Sequence, residues 1–578
     1  MILLEDSFKK SGRDVDKVMA PSETLAWVRT RLGSLDVPVL QATERIDKGR
    51  LGIPVYVSRY APSISRLTGT HKQMGKGVTA AQAEASAVME LVERFSLFYF
   101  VREREKRICS RVDIKARTVA VSEMIKALHV WKQDDPAVSD ADPIINAINM
   151  EWTEALRPAD HQSRWLPFSW FWPINEYNGS ASGNSLAEAA VQAISEVVER
   201  HVCSVITYGR LTTPTIRSDS LRDPVVKELV DRFRALDINV ILKDFSLGLG
   251  IPTVGAIAWD PSTWPDRSEI VYTAGTAPDP ARAAVRALTE IAQLAGDFDT
   301  EGEYLESGLP KFSSLGEAAY VLESSDEISL ESMPDCSSEN FRIEVVNMCR
   351  ALTESGLKPY LIDVTHPGLG VPVVYAVIPG NHFRDRTRQI DLPFHCARVA
   401  SAEKGYAALD KMKLIDEVYP GRPDVAFYTG HVFESLGNYA EALEWYEKAM
   451  DRNPGAEETG SILCHRGVCY KEMEDFSRAV EELCSARDAS PGLKEIHNLL
   501  GYCYYRMGDH LKAIEAFEQA INIDPGSGID YANIASNLRK LGLREAALQW
   551  YEMALELDSE LEWAREHMEA LKTEQKTE

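Results

Sequence analysis

Three stretches of the chain repeat one order of apolar, small and polar positions, and that order predicts three long helices built on a common template. Each stretch starts with a good N-cap residue, Thr79, Ser185 or Asp279, whose side chain can accept hydrogen bonds from the free amides of the first turn. The first two caps have Gln or Glu three positions later, as in capping boxes, and the third is followed by proline. Alanine recurs four and eight positions after every cap, which predicts that this face of each helix packs closely.

A polar stripe runs along each of these largely apolar helices. Positions seven, eleven and fourteen after the cap share one face, because steps of four and three follow the helical period. They are occupied by Ser86, Glu90 and Glu93 in the first helix, by Gln192, Glu196 and Glu199 in the second, and by Arg286, Glu290 and Gln293 in the third.

The glutamates on these stripes would repel one another unless cations neutralise them. Oxygen ligands without clustered cysteine or histidine indicate magnesium rather than zinc, and magnesium held by carboxylates usually accompanies phosphates. The stripes therefore predict a magnesium and nucleotide site. A single Glu-x-x-Glu-Arg is more often a solvated helix face, but two copies, ending at Arg94 and Arg200, stand at the same offset from matched caps and favour the site. Both arginines fall off the main stripe, and we expect them to orient the carboxylates.

The region before about residue 395 also carries strand signals. Gly-x-Pro starts three similar β-rich runs, at 52–56, 250–254 and 370–374, and the last two follow apolar runs as in hairpins. We interpret these runs as a large mixed sheet, so that the region before about residue 395 forms an α/β domain of the α+β mixed-sheet kind.

From about Val425 onward the pattern becomes a repeat. Gly430, Gly467 and Gly501 are each followed by two alanines and a proline at fixed spacings, and a fourth unit has serine in place of the proline. Small residues at these points let antiparallel helices approach closely, and the proline ends the second helix. The pattern resembles the tetratricopeptide repeat (TPR) and implies an all-α solenoid of about four repeats over 424–570, after a helical linker at 396–423. Such arrays bind peptides or partner proteins; a stabilising or dimerising appendage is the alternative.

Composition narrows the classes of function. Apolar residues make up 45% and charged residues 26% of the chain, as in ordinary globular proteins, and the net charge of -25 argues against a direct nucleic-acid ligand. The nine cysteines form neither a zinc pattern nor a disulfide framework, and their spacing argues against an iron–sulfur cluster. We find no secretory signal and no apolar run long enough for a bilayer, so we expect a cytoplasmic protein without membrane contact.

Two motifs together resemble the YcaO family. They read Gly75-Lys76-Gly77-Val78-Thr79 leading into Ser86-x-x-x-Glu90-x-x-Glu93-Arg94, and Gly183-Asn184-Ser185-x-x-Glu188 leading into Glu196-x-x-Glu199-Arg200. The resemblance covers roughly residues 15–395 and implies ATP and Mg2+ as cofactors. It implies metal ligation by Glu90, Glu93, Glu196 and Glu199, and contacts to the nucleotide or its metals from Asn184, Glu188, Arg286 and Glu290. Ser86 and Gln192 would contact phosphate or metal-bound water, or else join helices, and Lys17 and Thr24 match the family's N-terminal lysine and hydroxyl residue more loosely.

The resemblance also implies the chemistry. Family members phosphorylate a peptide amide oxygen after a nucleophile adds to the carbonyl carbon; a side-chain nucleophile gives an azoline (cyclodehydration), and external sulfide gives a thioamide. The substrate would be a peptide or protein, and the chain a homodimer. No catalytic base is assigned: His71, His201, His382 and His395 are candidates by residue type alone.

One departure bears on the substrate. Azoline-forming members commonly end in a proline-rich tail, whereas this chain continues into the repeats. That architecture is similar to members known as accessory factors for ribosomal protein methylthiolation. Two hypotheses therefore remain: an amide-activating enzyme whose repeats recruit a partner, and an ATP-binding accessory factor that supports a separate methylthiotransferase. A repeat scaffold with a merely structural front domain is disfavoured by the stripes.

Overall fold

The chain forms two compact units. The computed structural model describes residues 4–10, 16–47, 50–61, 64, 67–68, 72–128, 136–264, 268–294, 312–383 and 391–577. The first unit comprises Met1–Lys132 and Met150–Ile390, and the second comprises Gln133–Asn149 and Asp391–Glu578.

The strands of the described residues lie in the first unit and form three sheets. The sheets have the orders β1-β2-β3, β11-β10-β9-β8-β12 and β4-β5-β13-β14-β7, with β6 paired to β5. The strands are β1 Leu40–Arg45, β2 Val55–Tyr60, β3 Lys72–Lys76, β4 Arg107–Ser110, β5 Asn149–Arg157, β6 Gln162–Pro167, β7 Ser180–Ser182, β8 Thr213–Ile216, β9 Asn239–Asp244, β10 Thr253–Trp259, β11 Val271–Thr276, β12 Ser324–Ile328, β13 Tyr360–Asp363 and β14 Val373–Val377.

The α-helices of the described residues alternate with these strands and then continue alone. Those that accompany the sheets are α1 Pro21–Leu32, α2 Ala80–Arg102, α3 Val121–Lys126, α4 Pro136–Ala147, α5 Phe168–Asn175, α6 Leu186–Gly209, α7 Pro224–Ala235, α8 Pro280–Leu294, α9 Ala319–Leu322 and α10 Phe341–Glu354. Those that follow are α11 Leu392–Ser401, α12 Ala407–Val418, α13 Pro423–Ser435, α14 Tyr439–Asp451, α15 Ala456–Glu472, α16 Phe476–Ala489, α17 Lys494–Met507, α18 His510–Ile523, α19 Gly528–Lys540, α20 Arg544–Leu557 and α21 Glu562–Thr577.

The mixed α/β class of the first unit is confirmed, but the expectation of a single large sheet is wrong. Strands β9 and β10 form the predicted hairpin, as do β13 and β14. In each sheet one antiparallel strand pair packs on one of the three long helices: β2 and β3 on α2, β10 and β11 on α8, and β14 and β7 on α6. Periodicity within one strand does not encode which helix covers it.

The three long helices are built on one template, as predicted. Helices α2, α6 and α8 begin after the predicted caps, and Thr79, Ser185 and Asp279 each accept from a backbone amide of the first turn. Each helix directly follows the strand β3, β7 or β11. A methyl group added to Gly75 would come within 2.0 Å of the Ala87 backbone, with similarly close contacts at Gly183 and Gly275. The recurring alanines therefore allow a glycine of the preceding strand region to touch the helix.

The second unit is helical. Four antiparallel pairs, α13/α14, α15/α16, α17/α18 and α19/α20, follow one another and α21 ends the array. A methyl group added to Gly430, Gly467 or Gly501 would come within 2.7 Å of an aromatic or leucine side chain of the paired helix, which explains the small residues of the repeat.

Within the described part of the chain, no helix combines the length and apolar composition needed to cross a bilayer.

Helix α4 belongs to the second unit although it lies within the first unit's sequence. It packs against α11 and α12, and its Ala141, Ile144 and Ile145 are fully buried. From the sequence we expect α4 to belong to the α/β domain and residues 396–423 to form a helical linker. In the structure, α11 and α12 instead form a packed base together with the inserted helix.

Candidate functional site

The stripes of α2 and α6 meet around a buried arginine. The Arg94 guanidinium lies 3.3 Å from the Glu93 carboxylate and 4.0 Å from that of Glu90. Burial acts to lower the pKa of Arg94, but the charges of Glu93, Glu196 and Glu90 outweigh it and hold that pKa above the ordinary value. Carboxylates of both helices therefore share one electrostatic environment with this arginine.

Two backbone amides also hold the carboxylates of α6. The Gly179 amide donates to Glu196 Oε2 at 3.2 Å, and the Thr276 amide donates to Glu199 Oε2 at 2.9 Å. Arg200 lies 3.9 Å from Glu196, with about half of its side chain exposed. The two arginines of the repeated motif thus lie beside the stripe glutamates, and an orienting role for them stays a prediction.

The third helix joins the same cluster. Arg286 of α8 donates to Gln192 Oε1 of α6 at 2.5 Å, and Glu290 forms an ion pair with Lys76 at the end of β3. Among the described residues, the buried Nε of Arg286 has no hydrogen-bond partner. The α6 residues from Glu188 to Glu199 extend about 16 Å along the helix. The cluster is therefore arranged along this length of α6.

The charges of the cluster are incompletely compensated within its buried surroundings. Burial raises the pKa of Glu93 to about 8; Arg94 opposes the rise, and Glu196 and Glu90 add to it. Burial also raises the pKa of Glu90. The pKa of Lys76 falls to about 7, because burial and the Arg286 charge together outweigh its acidic neighbours. Additional positive charge beside these carboxylates would favour their ionised forms.

The four predicted metal ligands lie near one another, but their side chains do not form a complete metal site. Within the described ranges, no three His, Cys, Asp or Glu side chains are positioned to hold one metal ion. Hydrogen bonds from protein groups hold Glu93, Glu196 and Glu199, and Arg94 accompanies Glu90. The donor set nevertheless fits a hard divalent cation, since all four side chains offer carboxylate oxygens.

The N-terminal end of α6 gathers a second group of predicted residues. Glu188 is buried, accepts from the Val18 amide at 3.0 Å and from Asn184 Nδ2 at 3.1 Å, and forms an ion pair with Lys17 Nζ at 3.4 Å. Thr24 Oγ1 donates to Asn184 Oδ1 at 2.9 Å. The structure therefore places Lys17, Thr24, Asn184 and Glu188 together at the start of α6. Ser86 is half-buried one turn before Glu90.

A short N-terminal segment secures this end of the helix. Ser7 Oγ donates to Ser185 Oγ, the N-cap of α6, at 2.8 Å. Phe8 forms a β-bridge with Asn340, and Lys9 reaches the buried Glu344 carboxylate at 2.5 Å. These contacts hold residues 4–10 over the start of α6.

The candidate bases receive little support from their positions. His201 lies five residues after Glu196, about 140° around the helix, and its Nδ1 accepts from the His382 amide at 2.9 Å. His395 is buried in α11 of the second unit, and His71 lies outside the described residues. None of these placements assigns a base.

Several residues of the cluster could not be identified from residue type and spacing in the sequence. Lys76 lies in the Gly-Lys-Gly motif, but the motif alone does not predict a role for its side chain in the cluster. The contribution of Thr276 is a backbone amide, which residue type does not reveal. Ser180 donates to Glu93 Oε1 at 2.7 Å, yet it lies 87 residues away in the sequence and outside every helical stripe.

Comparison with known proteins agrees with this architecture. Residues 74–382 match the model of a family described as YcaO cyclodehydratase, ATP- and Mg2+-binding. Residues 423–456, 495–527 and 531–561 match tetratricopeptide repeat models. These stretches correspond to the first, third and fourth helix pairs of the second unit.

Related proteins match different fractions of this chain. An uncharacterized protein of Methanothermobacter thermautotrophicus is 28% identical over 387 residues, 63% of this chain and 94% of its own length. The ribosomal protein S12 methylthiotransferase accessory factor YcaO of Escherichia coli is 25% identical over 238 residues, 39% of each chain. A heterocyclase solved with substrate and cofactor superposes with a TM-score of 0.54 at 21% identity, covering 66% of this chain and 54% of the heterocyclase. That likeness concerns the fold.

Proposed function

Because this chain belongs to the YcaO cyclodehydratase family, whose members bind ATP and Mg2+, we propose that it uses both to activate a peptide backbone amide. The products would be thioamide or azoline groups in a peptide or protein. The observation that carries the proposal is the meeting of Glu90, Glu93 and Glu196 with Arg94 in one cluster that spans α2 and α6.

The cluster fits the cofactors by the chemistry of its donors. Glu90, Glu93, Glu196 and Glu199 would hold Mg2+, and the buried Arg286 Nε, which no described residue pairs, is a donor suited to phosphate. Bound MgATP would supply the phosphoryl group that turns an amide oxygen into a good leaving group.

The protein's own residues would position and neutralise the reactants. Lys17, Asn184 and Glu188 would orient the nucleotide at the start of α6, where they already contact one another. Lys76, which pairs with Glu290, would balance charge between β3 and α8.

The decisive experiment measures ATP turnover in variants of all three helices. Glu90→Gln, Glu196→Gln and Arg286→Ala should each lower turnover at least about 100-fold, because each removes charge stabilisation in a buried site. Glu228→Gln is the matched control, since that residue forms an exposed pair with Arg232 on α7. Undiminished turnover in folded Glu90 and Glu196 variants contradicts the proposal, and normal activity of Arg286→Ala alone removes α8 from the site.

A second candidate function is supported by the Escherichia coli relative and by the repeats. As an ATP-binding accessory factor, the chain would use α13–α20 to recruit a protein that performs methylthiolation. It would then bind ATP without modifying any amide. A backbone amide whose mass changes only when this protein and ATP are present decides for the enzyme. Homodimer formation stays a prediction.

A further inference from the structure

One turn of the first unit touches both carboxylate-bearing helices. Residues 176–180 connect α5 to β7. The Gly179 amide donates to Glu196 of α6 at 3.2 Å, and the Ser180 hydroxyl donates to Glu93 of α2 at 2.7 Å. Adjacent residues of one turn therefore each hold a carboxylate from a different helix.

The hydroxyl of Ser180 has two acceptors within reach, Glu93 Oε1 at 2.7 Å and the Tyr177 carbonyl at 3.0 Å, and the shorter distance favours donation to Glu93. Arg94 Nη1 donates to Ser180 Oγ at 3.0 Å and to the Tyr177 carbonyl at 2.9 Å. The Tyr177 carbonyl, which lies 3.0 Å from Ser180 Oγ, is thus already supplied by the arginine. Because a hydroxyl has one proton and two acceptor sites, the arrangement runs from the Arg94 guanidinium through Ser180 to the Glu93 carboxylate, and such chains strengthen each bond.

The turn is held rigidly against the fold. The buried Tyr375 of β14 donates its hydroxyl proton to the Glu176 carbonyl at 2.7 Å. Glu176 itself has φ 48° and ψ -126°, a conformation that costs about 1–3 kcal/mol outside glycine and persists where surrounding contacts impose it. Gly179 has φ 88°, and a methyl group there would come within 2.6 Å of both the Ala376 carbonyl and Val197. The turn therefore has little freedom to move away from the two helices.

We propose that Ser180 is a positioning residue: it holds the Glu93 carboxylate where it can share a divalent cation with Glu196, which the neighbouring Gly179 amide holds. The inference rests on the proposed function, because it takes both glutamates as metal ligands. It adds a residue outside the helical stripes, and it explains why the strained turn faces the cluster.

The test compares Ser180→Ala with Ser182→Ala in the full-length chain. Ser182 is a matched control, because it lies on the same strand and its hydroxyl donates to the Met89 backbone carbonyl of α2 at 2.8 Å, not to a carboxylate. Mn2+ binding is measured from the loss of the free Mn2+ electron paramagnetic resonance signal, with a non-hydrolysable ATP analogue present. Loss of an outer-shell partner should raise the Mn2+ dissociation constant about tenfold in Ser180→Ala and less than about twofold in Ser182→Ala.

Ser180→Thr separates a positioning role from general damage. It retains the hydroxyl, so its Mn2+ affinity should recover to within about threefold of the unsubstituted chain. Unfolding midpoints for all three variants identify any loss of folding. Equal Mn2+ affinity in Ser180→Ala and the unsubstituted chain overturns the inference, and so does an unsubstituted chain that binds no Mn2+. A chain whose Mn2+ affinity depends on Ser180 but which never turns over ATP contradicts the proposed function alone.

Discussion

At the scale of single residues, His201 shows how a titratable side chain can lie close to a site in sequence and face away from it. Burial, assisted by the neighbouring His382, lowers its pKa to about 4. The His382 amide donates to its Nδ1, so the neutral ring is the form that the fold holds.

The stability of the protein should therefore depend on His201 in mildly acidic solution. In the unfolded chain this histidine takes up a proton near pH 6.5, whereas in the fold it stays neutral until about pH 4. The unfolded state binds more protons in that window, so stability present above pH 6.5 is lost as pH falls toward 4. Because the side chain is partly exposed, we expect the loss to be on the order of 2 kcal/mol.

His201→Asn keeps an acceptor for the His382 amide and removes the titration. Unfolding midpoints at pH 7.5 and pH 4.5 should differ less in this variant than in the unsubstituted chain. ATP turnover should stay normal, because the side chain lies across α6 from Glu196. An unchanged pH dependence would refute the titration argument, and lost turnover would restore His201 as a candidate base.

At the scale of elements, the N-cap residue of α6 forms one hydrogen bond that has no counterpart at the N-cap residue of α2. Ser185 accepts from the Glu188 amide at 3.1 Å and from the Ser7 hydroxyl at 2.8 Å. Thr79 accepts from the Gln82 amide at 3.3 Å, and among the described contacts of residues 4–10 there is no hydrogen bond to Thr79. One cap therefore links its helix to the segment that precedes Lys17.

Ser185→Ala and Thr79→Ala should each cost about 1 kcal/mol through the lost cap. Only Ser185→Ala should also loosen residues 16–24, which hydrogen exchange would detect as faster amide exchange. Its KM for ATP should rise severalfold above that of Thr79→Ala, because Lys17 and Val18 bind Glu188 in the first turn of α6. Equal exchange and equal KM in the two variants would reduce Ser185 to an ordinary cap.

The same elements show what the sequence could and could not reveal. The caps, the stripes and the TPR period were predictable because each is set by residues within one or two turns of one another. The three separate sheets were not predictable, since strand pairing joins residues such as Tyr375 and Ser180 across long stretches of chain. The pairing of Ser180 with Glu93 was hidden for the same reason, and the strained Glu176 follows from the packing around it rather than from its residue type.

At the scale of the whole molecule, the boundary between the units decides where the chain can be cut. The sequence suggested a break near residue 395, but α11 starts at Leu392 and packs on the inserted α4. Helix α13 packs on α11 and α12 in turn. The inserted helix thus depends on elements far downstream, and the first repeat completes the base on which it rests.

A chain that ends at residue 390 should therefore expose the apolar face of α4. Ile144 and Ile145 are fully buried, and each would lose about 2 kcal/mol of burial free energy. A chain that ends at residue 455 keeps α11–α14 and should remain folded, because repeat arrays tolerate loss of terminal units. Light scattering should show aggregation of the shorter chain only, and the longer one should retain ATP turnover while it loses partner capture. A monodisperse, active chain ending at residue 390 would show that α4 does not need the second unit, and lost turnover in the chain ending at 455 would make the distal repeats part of the enzyme.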